Sequence, residues 1–201
     1  MLILASTSRY RRELLQRLHL PFVAESPGVG ETRQPGEAVR DMALRLACEK
    51  AEAVASRAPT ACVIGSDQAA EGPDGVLGKT ADARAQAQQL ASLSGQTVNF
   101  WTALAVIDGV SGQRVLHVDR TICRFRVLGQ AEIDRYVSLE PAWDCAGGFK
   151  CEGLGISLFE SIETMDPTAL IGLPMIATAR ALRPPSASSA STAALSPLTT
   201  A

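Results

Sequence analysis

The chain has 201 residues, of which 46% are hydrophobic and 20% charged, a balance typical of a soluble globular protein with one large domain or two lobes. Its 19 basic and 21 acidic residues give a net charge of −2, which argues against broad nucleic-acid binding and against a polybasic membrane anchor. The five cysteines are scattered, which predicts reduced thiols, no structural zinc and a cytoplasmic location. No segment has the apolar length of a transmembrane helix.

Short apolar runs and helical patterns alternate in the first half of the chain. Leu14, Leu15 and Leu18 have the spacing of one helix face, and Ser8 precedes them as the expected N-cap. The predicted elements are, in chain order, a strand over 2–5, a helix from Ser8 to Pro21, a strand over 22–25, a loop over 26–36, a helix over 37–57, a strand over 61–65 that stops at Ser66-Asp67, a hairpin at Asp74-Gly75 and a helix over 82–93.

The second half carries the pattern of a long antiparallel hairpin. Residues 97–107 and 113–127 are rich in Val, Thr, Ile and aromatic residues, and a glycine-containing turn joins them. Strands and helices mixed in this way predict an α/β fold with a mixed sheet and flanking helices. The remaining predicted elements are a helix from Gln130, a glycine-rich loop over 145–153, a strand over 154–162 and a final helix that starts at Pro174 and ends near Arg183.

The end of the chain differs in kind from the rest. Residues 184–201 carry no charge and consist almost wholly of Ser, Thr, Ala and Pro, a composition that does not supply a packed core. We therefore expect one domain over residues 1–183 and a disordered tail without a catalytic role. A short helix docked on a partner is the alternative for the tail.

The first candidate site is the turn at residues 5–12 (ASTSRYRR), where a strand leads into a helix. Backbone N–H groups at a helix N-terminus favour a bound anion, and the hydroxyls of Ser and Thr add donors. Arg9, Arg11 and Arg12 crowd this first turn, where positive charge opposes the helix dipole. A bound phosphate group would account for them, whereas a capped helix with a solvated basic face is the alternative.

The second candidate is Asp67, which follows the apolar strand 61–65. A carboxylate at the carboxyl edge of a sheet lies where open α/β folds bind their ligands. Such an Asp can hold a divalent metal, act as general base on a water molecule, or do both. An Asp that merely caps the next turn is the alternative interpretation.

Single charged residues and one loop complete the set of candidates. Glu31 lies in a predicted loop, Lys50 on a predicted helix and Lys79 after the hairpin, and each taken alone is an ordinary surface charge. The glycines of residues 147–153 allow the backbone to approach a flat ligand closely, although a tight connecting loop would have the same composition.

Taken together and in this order, the motifs resemble those of the Maf family of nucleotide pyrophosphatases. The resemblance extends to about residue 183, and its collinear order makes it specific where no single motif is. The motifs are LILASTSRYRRELL from residue 2, GET at 30–32, RLACEKA at 45–51, IGSDQ at 64–68, GK at 78–79, LSGQT at 93–97, CAGGFKCEG at 145–153 and DPTALIGLP at 166–174.

The resemblance implies cleavage of a nucleoside triphosphate between its α and β phosphates, which yields a monophosphate and pyrophosphate with a divalent cation, Mg²⁺ or Mn²⁺. It also implies a fold with two lobes around a central cleft, of the Maf and ITPase-like kind, and a homodimer. By position, Asp67 is the base that activates water, and Asp67 and Glu31 are the metal ligands. The implied phosphate-binding or supporting residues are Ser8, Arg12, Lys50 and Lys79.

Three positions depart from the family's usual pattern. Arg9 and Thr80 stand where the family usually has Pro, and both changes are compatible with the backbone. Gly30 stands where an acidic residue commonly precedes Glu31. A second carboxylate ligand for the metal is therefore in doubt at position 30, which leaves Glu31 as the carboxylate ligand in this loop.

Three further positions concern the base of the nucleotide. The branch of the family that acts on dTTP and UTP carries Arg, Thr and Gln there, whereas this chain has Tyr10, Gln68 and Glu152 and resembles the branch that acts on 7-methyl-GTP. N7-methylation makes the purine ring cationic, so the aromatic face of Tyr10 gains about 0.5–2 kcal/mol from a cation–π interaction. The Glu152 carboxylate can accept two hydrogen bonds from guanine, and Gln68 can offer a donor or an acceptor to the nucleoside.

The leading hypothesis is thus a metal-dependent 7-methyl-GTP pyrophosphatase that removes modified nucleotides, with neither nucleic acid nor membrane as a partner. A close rival is the same chemistry on dTTP, UTP or damaged purine triphosphates, and Gln68 and Glu152 argue against the pyrimidines. A non-catalytic nucleotide-binding regulator, for instance of cell division, is an alternative from another class. A third alternative is a phosphatase that hydrolyses the nucleotide at its γ phosphate.

Overall fold

The computed structural model describes residues 1–183, so the predicted tail at 184–201 lies outside the described residues. This part of the chain contains seven strands and five α-helices. The strands are β1 (Leu2–Ala5), β2 (Val23–Glu25), β3 (Cys62–Gly72), β4 (Gly75–Leu77), β5 (Thr97–Asp108), β6 (Arg114–Phe125) and β7 (Phe159–Glu163). The helices are α1 (Arg9–Gln16), α2 (Val39–Ala55), α3 (Ala83–Leu93), α4 (Gln130–Leu139) and α5 (Met175–Ala181).

All seven strands belong to one mixed sheet with the order β2-β1-β3-β5-β6-β7, and β4 pairs with β3. β1 is parallel to both of its neighbours, β2 and β3, because α1 and α2 carry the chain back between these strands. The pairs β3–β5, β5–β6 and β6–β7 are antiparallel. The predicted α/β fold with a mixed sheet is therefore confirmed, including the long hairpin of β5 and β6.

The strand that carries Asp67 is longer than the sequence predicts. The prediction that it stops at Ser66-Asp67 was wrong, because β3 continues to Gly72. Along this whole length β3 pairs with β5, from Cys62 opposite Asp108 to Glu71 opposite Asn99. Since β1 ends at Ala5, opposite Gly65, Asp67 lies just beyond the carboxyl end of the parallel neighbour. The Asp67 side chain therefore borders a cavity instead of a neighbouring strand residue of β1, although β3 itself continues.

Close contact between α2 and β3 is the feature that brings charged groups together in this fold. A Cβ atom at Gly65 would lie 2.2 Å from the carbonyl oxygen of Ala47 and 2.7 Å from the nitrogen of Ala51. Only glycine permits such an approach, and the facing positions of α2, Ala43, Ala47 and Ala51, are small and buried. Lys50 precedes Ala51 on this helix and is buried with it.

Successive residues of β3 point to opposite faces of the sheet. Val63 and Ala69 pack in the cluster beneath α2, and Asp67 shares their face. Ile64 packs with residues of α1 and α5 on the other face, which Gln68 shares. Asp67 and Gln68 are neighbours in sequence, yet they face different surroundings.

A third cluster fills the other end of the sheet and fixes the glycine-rich loop. The ring of Phe149 lies at centroid distances of 5.4, 5.7 and 4.8 Å from Phe100, Phe125 and Phe159. Phe149 therefore anchors the loop over 145–153 to the core. None of the helices in residues 1–183 has the length and hydropathy required to cross a membrane.

The prediction of a strand over residues 154–162 was wrong for the first half of this segment. Leu154–Leu158 form a 3-10 helix, and β7 begins only at Phe159. The alternating sequence LGISL imitates a strand, but Gly155 packs so tightly that a Cβ there would lie 2.5 Å from the carbonyl oxygen of Lys150. The chain closes a compact turn at this point instead of extending.

Candidate active site

A cavity of about 630 Å³ is lined by the turn between β1 and α1, by α2, β3, the segment after β4 and the glycine-rich loop. Residues of all three core clusters border it. Its polar and charged lining residues are Ser6, Thr7, Ser8, Arg9, Tyr10, Arg11, Glu31, Lys50, Asp67, Gln68, Lys79, Asp144, Cys145, Cys151 and Glu152. All the predicted site residues except Arg12 line this cavity, although they come from well-separated parts of the chain.

The ammonium group of Lys50 bridges two carboxylates at the floor of the cavity. Its Nζ donates to Asp67 Oδ1 at 2.6 Å and to Glu31 Oε1 at 2.5 Å. The Lys50 side chain is only 5% exposed and that of Asp67 9%, whereas Glu31 is 55% exposed. A buried lysine needs such partners, because an unpaired buried charge destabilises a fold strongly.

The two carboxylates differ in their proton affinity. Burial raises the pKa of Asp67, and the positive charges of Lys50 and Arg11 offset this effect only in part. Burial acts in the same direction on Glu31, but the hydrogen bond from Lys50 and the charges of Lys50, Lys79 and Arg11 outweigh it and lower the pKa of Glu31. Asp67 is therefore the stronger base of the pair, as a group that takes a proton from water should be.

Arg9 and Arg11 of α1 line the cavity, whereas Arg12 does not, and Arg11 is the one whose pKa responds to the charges of Asp67 and Glu31. The Arg11 side chain is bonded on the cavity wall. The Arg11 guanidinium donates to the carbonyl oxygen of Gly172 at 2.9 Å and to Ser6 Oγ at 3.5 Å. Burial lowers the pKa of Arg11, although the negative charges of Asp67 and Glu31 act in the opposite direction. Arg12 is exposed and is not among the lining residues. The prediction that Arg12 binds phosphate thus finds no support in its position, since consecutive helix residues point about 100° apart.

The N-terminus of α1 forms one wall of the cavity. Ser8 is its N-cap, with Oγ accepting from the Arg11 backbone N–H at 3.4 Å, and Ser6 Oγ accepts from the Ser8 N–H at 3.1 Å. Both hydroxyls therefore border the anion-favouring end of a helix. Lys79, in the segment after β4, is exposed and also lines the cavity.

Tyr10, the second residue of α1, lines the cavity among charged groups. Its hydroxyl accepts from Arg9 Nη2 at 2.7 Å and donates to Asp144 Oδ2 at 3.3 Å. The Arg9 guanidinium carbon lies 4.7 Å from the centroid of the Tyr10 ring, so a cation already occupies a position over this ring. Burial is the main cause of a raised pKa of Tyr10, which keeps the phenol neutral.

The amide of Gln68 has a fixed orientation. Its Nε2 donates to the carbonyl oxygens of Ala169 and Leu170 at 2.9 and 3.0 Å and contacts Thr102 Oγ1 at 3.1 Å. Because carbonyl oxygens accept and never donate, the NH₂ end must face this segment. Gln68 therefore presents its oxygen as the remaining group for a ligand.

Glu152 reaches the cavity from the turn between Lys150 and Gly155. The Glu152 side chain is exposed, and the turn also places the half-buried Cys151 in the lining. The cavity is thus lined by four cationic side chains, Arg9, Arg11, Lys50 and Lys79, and also by Tyr10, Asp144 and Glu152. Such an arrangement suits a ligand with an anionic end and a flat ring.

Sequence comparison agrees with this geometry. The model of the Maf-like protein family matches residues 1–184, so the chain belongs to the Maf family. Its similarity to individual proteins is also high over the same region.

A 7-methyl-GTP pyrophosphatase of Xanthomonas oryzae pv. oryzae is 58% identical over 184 residues, which are 90% of this chain and 95% of that protein. A 7-methyl-GTP pyrophosphatase of Bordetella parapertussis is 54% identical over 181 residues, 90% of each chain. Among solved structures, a nucleoside-triphosphatase, or dITP/XTP pyrophosphatase, of Mycobacterium abscessus is 20% identical, with a TM-score of 0.43 over 63% of this chain and 74% of that one.

Proposed function

We propose that this protein is a 7-methyl-GTP pyrophosphatase, which hydrolyses the nucleotide to 7-methyl-GMP and diphosphate. The observation that carries the proposal is the buried Lys50 bridging Asp67 and Glu31 on the floor of a cavity that Tyr10 and Glu152 also line. The residues proposed as general base, as cations for the phosphates and as acceptor for a guanine edge all line this one cavity. The names of the similar Xanthomonas and Bordetella proteins support the same substrate.

The residues present fit a divalent cation that arrives with the triphosphate. Lys50 occupies one oxygen of each carboxylate, which leaves Asp67 Oδ2 and Glu31 Oε2 as oxygen donors. Mg²⁺ prefers one or two carboxylates together with phosphate oxygens and water, so a full cage of protein ligands is not required. When bound, the cation would neutralise charge on the phosphates. Residues 1–183 contain no cluster of three or more metal-binding side chains, so the proposed protein ligands are Asp67 and Glu31 alone.

In the proposed reaction, Asp67 takes a proton from the attacking water. Lys50 holds the Asp67 carboxylate by a hydrogen bond at 2.6 Å and so fixes the direction in which the base acts. The water oxygen bonds to the α-phosphorus, the bond from this atom to the α–β bridging oxygen breaks, and pyrophosphate leaves with the electron pair. Arg11 and Lys79 stabilise the charge that grows on the leaving group.

The base of the substrate would lie beside Tyr10. A methylated guanine carries the positive charge that an aromatic ring attracts, and Glu152 would accept hydrogen bonds from its N1–H and amino group. Since the Gln68 amide donates to Ala169 and Leu170, its oxygen would accept from the nucleoside. Glu152 and Tyr10 thus favour a cationic purine over a pyrimidine.

A nucleotide panel with product identification tests the proposal. The purified chain is incubated with 7-methyl-GTP, GTP, dTTP, UTP and damaged purine triphosphates, with Mg²⁺, with Mn²⁺ and with a chelator. We expect the highest kcat/KM for 7-methyl-GTP, with pyrophosphate as product and loss of turnover in the chelator. Release of orthophosphate would indicate attack at the γ phosphate, and binding without turnover would indicate a regulator. The homodimer and the cytoplasmic location stay predictions.

A further inference from the structure

The turn that carries Glu152 is held by one carboxylate outside the cavity, that of Glu140. Glu140 follows the last residue of α4, and its Oε1 accepts from the backbone N–H of Leu154 at 3.1 Å. Its Oε2 accepts from the backbone N–H of Gly155 at 3.0 Å and from the Tyr136 hydroxyl at 2.9 Å. Glu140 thus accepts hydrogen bonds from three donors, two of which are backbone N–H groups just after Glu152 in the sequence.

Two neighbouring contacts show how closely this carboxylate fits the turn. A Cβ atom at Gly153 would lie 2.0 Å from Glu140 Oε1, so the position following Glu152 must be glycine for the carboxylate to enter. Tyr136 holds the other side of the turn, because its hydroxyl accepts from the Lys150 backbone N–H at 3.1 Å. Residues on both sides of Glu152 are therefore bonded to Tyr136 on α4 and to Glu140, the residue that follows this helix.

We propose that Glu140 is the positioning residue that sets where Glu152 presents its carboxylate to the base. Glu140 itself touches no substrate in this proposal and acts through the turn at 150–155. This inference rests on the proposed function, because it assumes that Glu152 recognises guanine. Its physical basis is that a flexible turn would have to be ordered on binding, whereas a pre-ordered acceptor avoids that cost.

Glutamine is the informative replacement for Glu140. In Glu140→Gln one oxygen still accepts a backbone N–H, but the new NH₂ group faces a second donor and repels it. The catalytic groups on β3 and α2 do not depend on this turn. We therefore expect KM for 7-methyl-GTP to rise about tenfold with little change in kcat, and kcat/KM for UTP, which has no guanine edge, to stay unchanged.

Cys151 reports the position of the turn without any substrate. Its thiol is half-buried beside Glu152, and burial raises its pKa to about 12. A loosened turn would expose this thiol, so we expect Cys151 in Glu140→Gln to react with iodoacetamide several times faster, measured by mass spectrometry with Cys48 on α2 as internal reference. Gly153→Ala should have the same effect, because its methyl group displaces Glu140.

Asp134→Asn is the matched control, since Asp134 lies on α4 and its carboxylate accepts from Gln130 of the same helix instead of from the turn. The inference is overturned if Glu140→Gln and Gly153→Ala match this control in both KM and Cys151 labelling. An equal loss of kcat on every nucleotide would also overturn it, since that is the result of general destabilisation. If the wild type shows no preference for 7-methyl-GTP, the proposed function fails, while the labelling rates still decide whether Glu140 holds the turn.

Discussion

The Lys50 ammonium lies 2.6 Å from the carboxylate of Asp67, and both side chains are almost fully buried. The contact depends on Gly65, which lets α2 approach β3 closely enough for the lysine to reach the strand. The pairing offsets the desolvation of both charges while leaving Asp67 with a raised pKa. A single glycine in the sheet is thus linked to the basicity of the proposed catalytic carboxylate.

Replacing Asp67 tests its role as general base. Asp67→Asn keeps the shape of the side chain but does not accept a proton, so we expect kcat for 7-methyl-GTP to fall about 10²- to 10⁴-fold. Asp119→Asn is the control, because Asp119 is also buried, bonds Thr164 and does not line the cavity. Pyrophosphate release at the wild-type rate from Asp67→Asn would contradict the mechanism.

Arg11 and Arg12 form a natural comparison of adjacent residues. Arg11→Ala removes a guanidinium beside the carboxylates, and we expect kcat/KM to fall about 10²- to 10³-fold. Arg12→Ala removes an exposed side chain outside the cavity and should stay within about twofold of the wild type. Steady-state kinetics on both variants decide which arginine contributes to catalysis. A larger loss of kcat/KM in Arg12→Ala than in Arg11→Ala would support the phosphate-binding role predicted for Arg12 from the sequence.

The sequence contained a signal for Arg11 that motif order alone does not use. Residues three and four apart share a helix face, so Arg11 lies on the face of both buried leucines, Leu14 and Leu15, whereas Arg12 shares a face with Leu15 and the exposed Gln16. The extent of β3 had no such local signal. Gly65-Ser66-Asp67 reads as a turn, and only long-range pairing with β5 carries the strand past it. The fold class and the grouping of Glu31, Lys50 and Lys79 were predictable from the pattern and the resemblance, whereas the Glu140 contacts depend on tertiary structure.

Tyr10 offers a test of the preference for a cationic base. Tyr10→Leu removes the aromatic face, and a cation–π contribution of about 0.5–2 kcal/mol predicts a 2- to 30-fold fall in the ratio of kcat/KM for 7-methyl-GTP to that for GTP. Tyr10→Phe keeps the ring and loses the hydroxyl's bonds to Arg9, Asp144 and Cys145, so the ratio should largely persist. Equal ratios in the leucine variant and the wild type would show that the ring does not recognise the methylated base.

The approach of α2 to β3 predicts a stability change at Gly65. In Gly65→Ala the new methyl group would overlap the carbonyl oxygen of Ala47, so helix and strand must separate. We expect the free energy of unfolding to fall by about 1–3 kcal/mol or more, measured by urea denaturation. Gly78→Ala is the control, since nothing lies within 4 Å of the added atom there. A similar loss of stability in both variants would rule out steric overlap as the cause.

The pH dependence of kcat/KM tests the balance of charges around Asp67. Because burial raises its pKa, the acid limb of the profile should lie above the ordinary value of about 3.9 for an aspartate. Lys50→Met removes an opposing positive charge that lowers the pKa of Asp67, so the limb should move further toward higher pH. Lys79→Met is the control, because Lys79 influences Glu31 but is not among the groups that shift Asp67.

The same shift determines how stability depends on pH. A carboxyl with a raised pKa in the folded state binds its proton more tightly there, so its contribution to stability is complete below the unfolded pKa and is lost as pH rises through the folded pKa. In Lys50→Met this loss should be larger and should extend to higher pH, because Asp67 has lost its ion-pair partner. Urea denaturation between pH 4 and pH 8 measures it. A variant whose acid limb and stability profile both coincide with those of Lys79→Met would show that Lys50 does not control the ionisation of Asp67.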